Sequence, residues 1–192
     1  TQGSGDLKRI LCTVLLLAAV LSGCRGSGAD GESVRTHFDA LAGFEAHLKI
    51  LCDLDQSVLE YEMDYVYNKE DVDSFTITAP KSLAGIGGTI AGTDSASLTL
   101  QYDGLSLDDA MPQRTGLTPA DAMFCLLDDL RRAEPVQIWS EHASGAELTV
   151  LRYERDDGDG KIEKQVWLTE QGLQLVCAEL YADGERVLTV QV

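Results

Sequence analysis

A regular alternation of apolar and polar residues is the clearest pattern along this chain, and it covers residues 58–68. Five residues at every second position, Leu59, Tyr61, Met63, Tyr65 and Tyr67, alternate with Glu60, Glu62, Asp64 and Val66. Successive side chains of a strand point to opposite faces, so this pattern predicts a strand with one packed face and one face in water.

The same period of two continues on both sides of this strand. Pro80 ends one run, because proline has no N–H to donate to a neighbouring strand. Residues 103–116 contain glycine, proline and charged residues and are predicted to form a loop. Glycines at 85, 87, 88 and 92 predict a bend or bulge in the sheet. The predicted strands on either side of 58–68 are 44–51, 74–78, 86–91 and 97–102.

The alternation returns after Pro135 and continues to the last residue. Glycine-containing turn sequences separate five short runs, which is typical of a meander of antiparallel hairpins. The five predicted strands are 136–142, 147–154, 161–168, 173–181 and 186–192.

Two segments show helical spacing instead. Ser33 is predicted to cap a short helix over 33–42, which Gly43 would end. A stronger helix is predicted over 118–132, with Thr118 as its N-cap and Asp121 in the capping position three residues later. Its apolar stripe consists of Met123, Leu126, Leu127 and Leu130.

The first 24 residues have the layout of a secretory signal peptide. Lys8 and Arg9 precede a mainly apolar run over 10–21, and small residues follow it. The run is shorter than the roughly 20 residues that a membrane-spanning helix requires. Residues 1–23 are therefore predicted to be a cleaved signal peptide.

The end of this run, Leu21, Ser22, Gly23 and Cys24, resembles the lipobox of bacterial lipoproteins. The resemblance implies that the Cys24 thiol receives a diacylglyceryl group and that Cys24 becomes the first residue of the mature chain. Two acyl chains hold a protein stably on a bilayer. We therefore expect an extracytoplasmic protein anchored at Cys24, with a flexible tether over 24–32 and a single domain over 33–192.

The charge of the chain excludes one class of partner. Thirty-two acidic and 15 basic residues give a formal net charge of −17. A chain of this charge is repelled by phosphate backbones, so we expect no nucleic-acid binding.

Candidate chemistry is sparse, and we predict no catalytic residue, cofactor or metal site. Cys52, Cys125 and Cys177 would remain after processing and lipidation, and the sequence leaves open whether two of them form a disulfide. Residues 156–160 resemble the middle of an EF-hand loop. Arg155 and Val166, however, fall where that loop requires carboxylates, so a hairpin turn is predicted.

Taken together, these features resemble the LolA/LolB-like bacterial lipoprotein superfamily, and within it Gram-positive lipoproteins of the GerS germination type. The resemblance rests on Tyr61, Met63 and Tyr65, on the sequence at 78–80, and on Leu83 and Gly85. It implies an α+β fold, mainly antiparallel β, in which a curved and unclosed half-barrel has a short N-terminal helix. The 118–132 helix would plug the concavity or act as its lid.

Two functions follow from the resemblance. In LolA-like proteins the concave sheet receives acyl chains, which implies a non-catalytic protein that binds a lipid or another apolar ligand. In the germination lipoprotein the implied role is to bind and support a peptidoglycan amidase, so an envelope protein partner is the alternative. The same apolar stripe could also be a filled core. The expected ligand-binding residues are Leu59, Tyr61, Met63, Tyr65, Leu98, Leu100, Met123 and Leu127.

Overall fold

The computed structural model describes residues 29–54, 56–92 and 96–192, and these form two helices and eleven strands. The helices are α1 (Gly31–Ala40) and α2 (Ala122–Arg132). The strands before α2 are β1 (Gly43–Leu54), β2 (Ser57–Asn68), β3 (Asp73–Ala79), β4 (Gly87–Ala91), β5 (Ser97–Tyr102) and β6 (Leu105–Leu107). Those after it are β7 (Gln137–Ala143), β8 (Ala146–Asp156), β9 (Lys161–Thr169), β10 (Leu175–Ala182) and β11 (Glu185–Gln191).

All eleven strands belong to one antiparallel sheet, in the order β6-β5-β4-β3-β2-β1-β11-β10-β9-β8-β7. Two meanders meet where β1 pairs with β11, for example Ile50 opposite Val190. The sheet ends at β6 on one side and at β7 on the other, so it does not close on itself. This curved, unclosed half-barrel with two helices confirms the expected fold class.

The topology places the hairpin turns at two ends of the sheet. At one end, which we call the tip end, lie the turns β1–β2, β3–β4, β5–β6, β8–β9 and β10–β11. Strand β7 also starts at this end, because it runs antiparallel to β8.

Both helices cover the concave face of the sheet. Buried residues of α1, including Val34 and Phe38, and of α2, including Leu126 and Leu130, form one hydrophobic core with the inward-facing residues of the strands. The stripe predicted from helical spacing is the buried face of α2, because apolar residues three and four apart lie on the same side of a helix.

The first helix begins at Gly31, so its N-cap lies three residues before the predicted cap Ser33. Asp30 is its N-cap, and the Asp30 carboxylate accepts a hydrogen bond from the backbone N–H of Ser33 at 2.8 Å. The helix ends at Ala40, and Gly43 instead starts β1, where a Cβ would lie 2.8 Å from the carbonyl oxygen of Tyr67. The tether predicted over 24–32 therefore overlaps the folded domain at its last residues.

The second helix begins at Ala122 and not at Thr118. Residues 118–121 form a preceding turn, in which the N–H of Ala122 donates to the carbonyl oxygen of Thr118 at 3.0 Å. The buried Asp121 carboxylate accepts from the N–H of Thr118 at 3.1 Å, as the capping pattern predicted. It also accepts from the N–H of Gly116 at 2.6 Å, so it orders the approach to the helix.

The predicted loop over 103–116 contains a strand. Residues Leu105–Leu107 pair with β5, with Leu100 opposite Leu107 and Tyr102 opposite Leu105. A two-residue turn joins the strands, and both Asp103 and Gly104 have positive φ, at 49° and 77°. Such a turn matches the twist of antiparallel strands.

The predicted signal peptide over 1–23 and the lipidation site Cys24 lie outside the residues that the structure describes, so both remain predictions. Neither described helix has the length and apolar character needed to cross a membrane.

Candidate binding surface

The middle of the concave face is filled with side chains. Five of the eight predicted ligand-binding residues are almost completely buried there, and α2 contributes two of them. An apolar ligand at these positions would have to displace α2. The five buried residues are Met63, Tyr65, Leu98, Met123 and Leu127.

A buried ion pair holds α2 on the sheet. Lys164 of β9 points to the concave face and is only 3% exposed. Its ammonium group donates to the Asp129 carboxylate and, at 3.2 Å, to the carbonyl oxygen of Cys125, both on α2. A lysine in an apolar core is unfavourable without such partners, so this contact favours the packed position of the helix.

A small polar cavity remains between α2 and the turn that follows β2. Its volume is about 70 Å³, and its lining includes Tyr67, Asp73 and Arg131. The buried Asp73 accepts hydrogen bonds from the Tyr65 hydroxyl and from the N–H of Asn68, but its burial raises the pKa of the carboxyl group. This cavity is far smaller than the 300–1,000 Å³ typical of pockets for organic ligands.

A larger apolar groove lies where the helices do not reach, beside the β5–β6 hairpin. Its volume is about 450 Å³. We call it the apolar mouth and define it by Ile86, Leu100, Tyr102, Leu105 and Leu107. Three of these residues, Tyr102, Leu105 and Leu107, are between 53% and 75% exposed. Exposed apolar side chains grouped in this way are typical of binding surfaces.

The register shows that the apolar mouth is part of the concave face. Leu98, which is in the core, and Leu100 and Tyr102 lie on one side of β5 because they are two residues apart. Their partners on β6 lie on the same side. The mouth is therefore the uncovered continuation, toward the tip end, of the surface that α2 covers elsewhere.

The remaining three predicted ligand residues are only partly covered. Leu100 lines the apolar mouth, while Leu59 is exposed and Tyr61 is half-buried against the core. Sequence reasoning missed Leu105 and Leu107 because it assigned them to a loop. The Asp103–Gly104 dipeptide was the available signal, since this pair favours a two-residue hairpin turn.

A long segment over 108–121 crosses from β6 to α2, and two hairpin tips hold it. The Arg114 guanidinium donates to Asp157 in the β8–β9 turn and to Asp183 in the β10–β11 turn, both at 3.0 Å. Arg114 lowers the pKa of Asp157, and the N–H of Lys161 together with Arg114 lowers that of Asp183. The segment that resembled an EF-hand loop is thus a hairpin turn that anchors this crossing.

The three cysteines of the described part of the chain are free thiols. Burial raises the pKa of Cys52 and of Cys125 to about 11, and it also raises that of Cys177.

Within the described part of the chain, no group of three or more potential ligands could hold a metal ion.

No protein-family model matches this sequence, and no curated protein matches it. Solved structures do match in fold. A DUF1329 family protein from Desulfovibrio piger has a TM-score of 0.51 at 12% identity, covering 85% of this chain and 91% of its own. A Vibrio parahaemolyticus domain described as an outer membrane lipoprotein-sorting protein has a TM-score of 0.50 at 14% identity, covering 83% and 74%.

A more distant match is the complex of the CwlD amidase with the GerS lipoprotein from Clostridioides difficile. Its TM-score is 0.40 at 14% identity, covering 84% of this chain and 89% of the matched one. These identities show the fold alone. The chain has the curved, unclosed half-barrel fold that its sequence resemblance implied.

Proposed function

We propose that this chain is a non-catalytic envelope lipoprotein, anchored through Cys24, that binds an acyl chain or a lipid in the apolar mouth. The observation that carries the proposal is the groove of about 450 Å³, which lies within the size range of ligand pockets. A ligand that covers its leucines lowers the free energy, because apolar surface is then removed from water.

The proposed site is only a part of the apolar stripe that the alternating pattern indicated. The buried part of the stripe serves as core under α2, and the ligand lies on the uncovered part. Leu100 was expected to bind the ligand and also lines the apolar mouth. A ligand in the mouth needs no displacement of α2.

A fluorescent fatty acid of 16 carbons tests the site. The double variant Leu105→Ser with Leu107→Ser should bind the probe at least tenfold more weakly, because covering each leucine contributes roughly 1 kcal/mol or more. Fluorescence titration gives the affinity. Both residues are exposed, so the variant should unfold at nearly the same urea concentration as the parent protein.

The matched control is Val58→Ser. Val58 is as exposed as the mouth residues but lies on the opposite face of the sheet, in the pair with Asp53. It should leave the affinity unchanged. Equal affinities for the parent and the double variant would exclude the mouth as the lipid site.

An envelope protein such as a peptidoglycan amidase is the second candidate for this surface. It is favoured by the open edge of β6, which is the last strand of the sheet and lies beside the mouth. An edge strand offers unpaired N–H and C=O groups to an added strand. Native mass spectrometry of the protein extracted from its membrane distinguishes the two, since a lipid adds less than 2 kDa and a protein far more.

A further inference from the structure

A second group of exposed apolar residues lies at the other edge of the sheet. Val136, which precedes β7, and Ile138 and Trp139 at its start are between 37% and 51% exposed. Ile138 lies opposite Leu151 on the concave side and Trp139 opposite Val150 on the other side, so the group includes both faces of the edge. We call these three residues the β7 edge. Strand β7 is the last strand of the sheet, so none of the described strands pairs with its outer edge.

The folded domain begins right beside the β7 edge. A Cβ at Gly31, the first residue of α1, would lie 3.1 Å from both Glu134 and Pro135. Arg35 strengthens this contact, since its guanidinium pairs with the Glu134 carboxylate and donates to the carbonyl oxygen of Ala133 at 3.5 Å. The residue after Pro135 is Val136, the first of the β7 edge.

Few residues separate this point from the proposed lipid. Ala29 packs against the core, and Cys24 is five residues before it. Five residues span at most about 18 Å when fully extended. A lipid on Cys24 therefore keeps the start of α1, and with it the start of β7, close to the bilayer.

We propose that the β7 edge lies in the interfacial region of the membrane to which Cys24 is anchored. This inference rests on the lipid anchor of the proposed function. Tryptophan suits this position because its ring is apolar and its N–H remains hydrated at the headgroup level. The aliphatic side chains of Val136 and Ile138 are removed from water there, and they have no hydrogen bonds to lose.

Apolar contact, and not charge, drives this association. Among the described residues, the start of the domain carries the carboxylates of Asp30, Glu32 and Glu134, and Arg35 pairs with Glu134. Anionic headgroups would repel this cluster. The β7 edge should therefore contact a phosphatidylcholine bilayer at least as well as one rich in phosphatidylglycerol.

The chain has two tryptophans, which report on depth separately. Trp167 lies on the same face as Trp139 but two strands further into the sheet, with Val150 between them in register. Strands are about 4.8 Å apart, so the backbone of Trp167 lies roughly 10 Å from that of the edge strand. Its indole N–H donates to Glu141 at 3.0 Å.

The experiment places full-length lipidated protein in phosphatidylcholine vesicles that carry nitroxide-labelled lipids, with the label near the headgroup. Trp167→Phe leaves Trp139 as the reporter, and Trp139→Phe leaves Trp167. We expect quenching of Trp139 to be at least twice that of Trp167. Circular dichroism verifies that both variants retain the β-sheet spectrum.

A linker variant provides an independent measurement. Twenty Gly-Ser residues inserted between Gly28 and Ala29 extend the tether without changing the domain, so quenching of Trp139 should fall toward that of Trp167. Shielding of Trp139 in native membranes, but not in vesicles, would assign the β7 edge to a protein partner and overturn the proposal.

The mass of the N-terminal peptide shows whether Cys24 is acylated, so it tests the lipid anchor separately from the membrane contact of the β7 edge. If Cys24 carries acyl chains but both tryptophans are quenched equally, the β7 edge proposal fails and the anchor stands. An unmodified Cys24 overturns both. Stronger quenching of Trp139 than of Trp167, lost with the long linker, supports both.

Discussion

At the residue scale, the most informative side chain is Lys164. It occupies an inward position of a strand whose other inward residues, Ile162, Val166 and Leu168, are apolar and buried. Its partner Asp129 is on α2, so this ion pair joins the sheet to the helix that fills the concavity. Removing one partner of a buried pair leaves an uncompensated charge, which costs more than the pair itself contributes.

We predict that Asp129→Asn lowers the free energy of unfolding by roughly 3 kcal/mol, because Lys164 loses its anion while it remains buried. Urea unfolding followed by circular dichroism measures the change. Asp128→Asn is the matched control: Asp128 forms a surface pair with Arg132 at 3.2 Å, so its loss should cost less than about 0.5 kcal/mol. Equal losses in both variants would contradict the assigned role of Lys164.

At the scale of elements, strand β4 shows what its glycines do. The sequence predicted a bend or bulge, but β4 pairs with β3 and β5 without a shift of register. A Cβ at Gly88 would lie 2.5 Å from the Phe75 ring, whereas one at Gly87 would lie 3.4 Å from its nearest neighbour. Gly88 thus makes room on the concave face for the buried ring of the neighbouring strand.

Gly88→Ala should therefore destabilise the protein by roughly 1–3 kcal/mol, as overpacking of a core does. Gly87→Ala should change stability by less than about 1 kcal/mol, because its Cβ makes an ordinary contact and the residue is in a strand. Thermal unfolding of the two variants provides the comparison. A larger effect at Gly87 than at Gly88 would refute the packing argument.

At the scale of the whole molecule, the 108–121 crossing links the two meanders of the sheet. It leaves the outer strand of one meander and is held by Arg114 at two hairpin tips of the other. The two carboxylates that hold Arg114 have pKa values below their usual 3.8 in the folded protein. Their contribution to stability is fully present above that value and is lost as the pH falls through the lower folded-state values.

Arg114→Met should accordingly lower the urea midpoint at pH 7, and the difference from the parent protein should shrink at pH 3. Both proteins are measured in the same buffers at pH 7, 5 and 3. Lys49→Met, which breaks a surface pair with Glu60 at 2.9 Å, serves as the control and should shift the midpoint little at any pH. A difference that persists undiminished at pH 3 would contradict the role of the Asp157 and Asp183 carboxylates in holding Arg114.

The sequence by itself determined most of the strands and the apolar face of each one. At 58–68 and through the C-terminal hairpins, the period of two is a local property of the backbone, so it is readable without the fold. The stripe of α2 was readable for the same reason. Strand β6 was missed because three residues after a tight turn are too few to establish a period.

Only the tertiary structure decided which part of the concave face is core and which part is free. Tyr65 of β2 and Leu100 of β5 are both at inward-facing positions of alternating strands. Helix α2 covers Tyr65 but leaves Leu100 at the apolar mouth. The position of α2 depends on contacts between residues far apart in sequence, such as Lys164 with Asp129. An alternating pattern records that a face is apolar, and the packing of other elements decides what covers it.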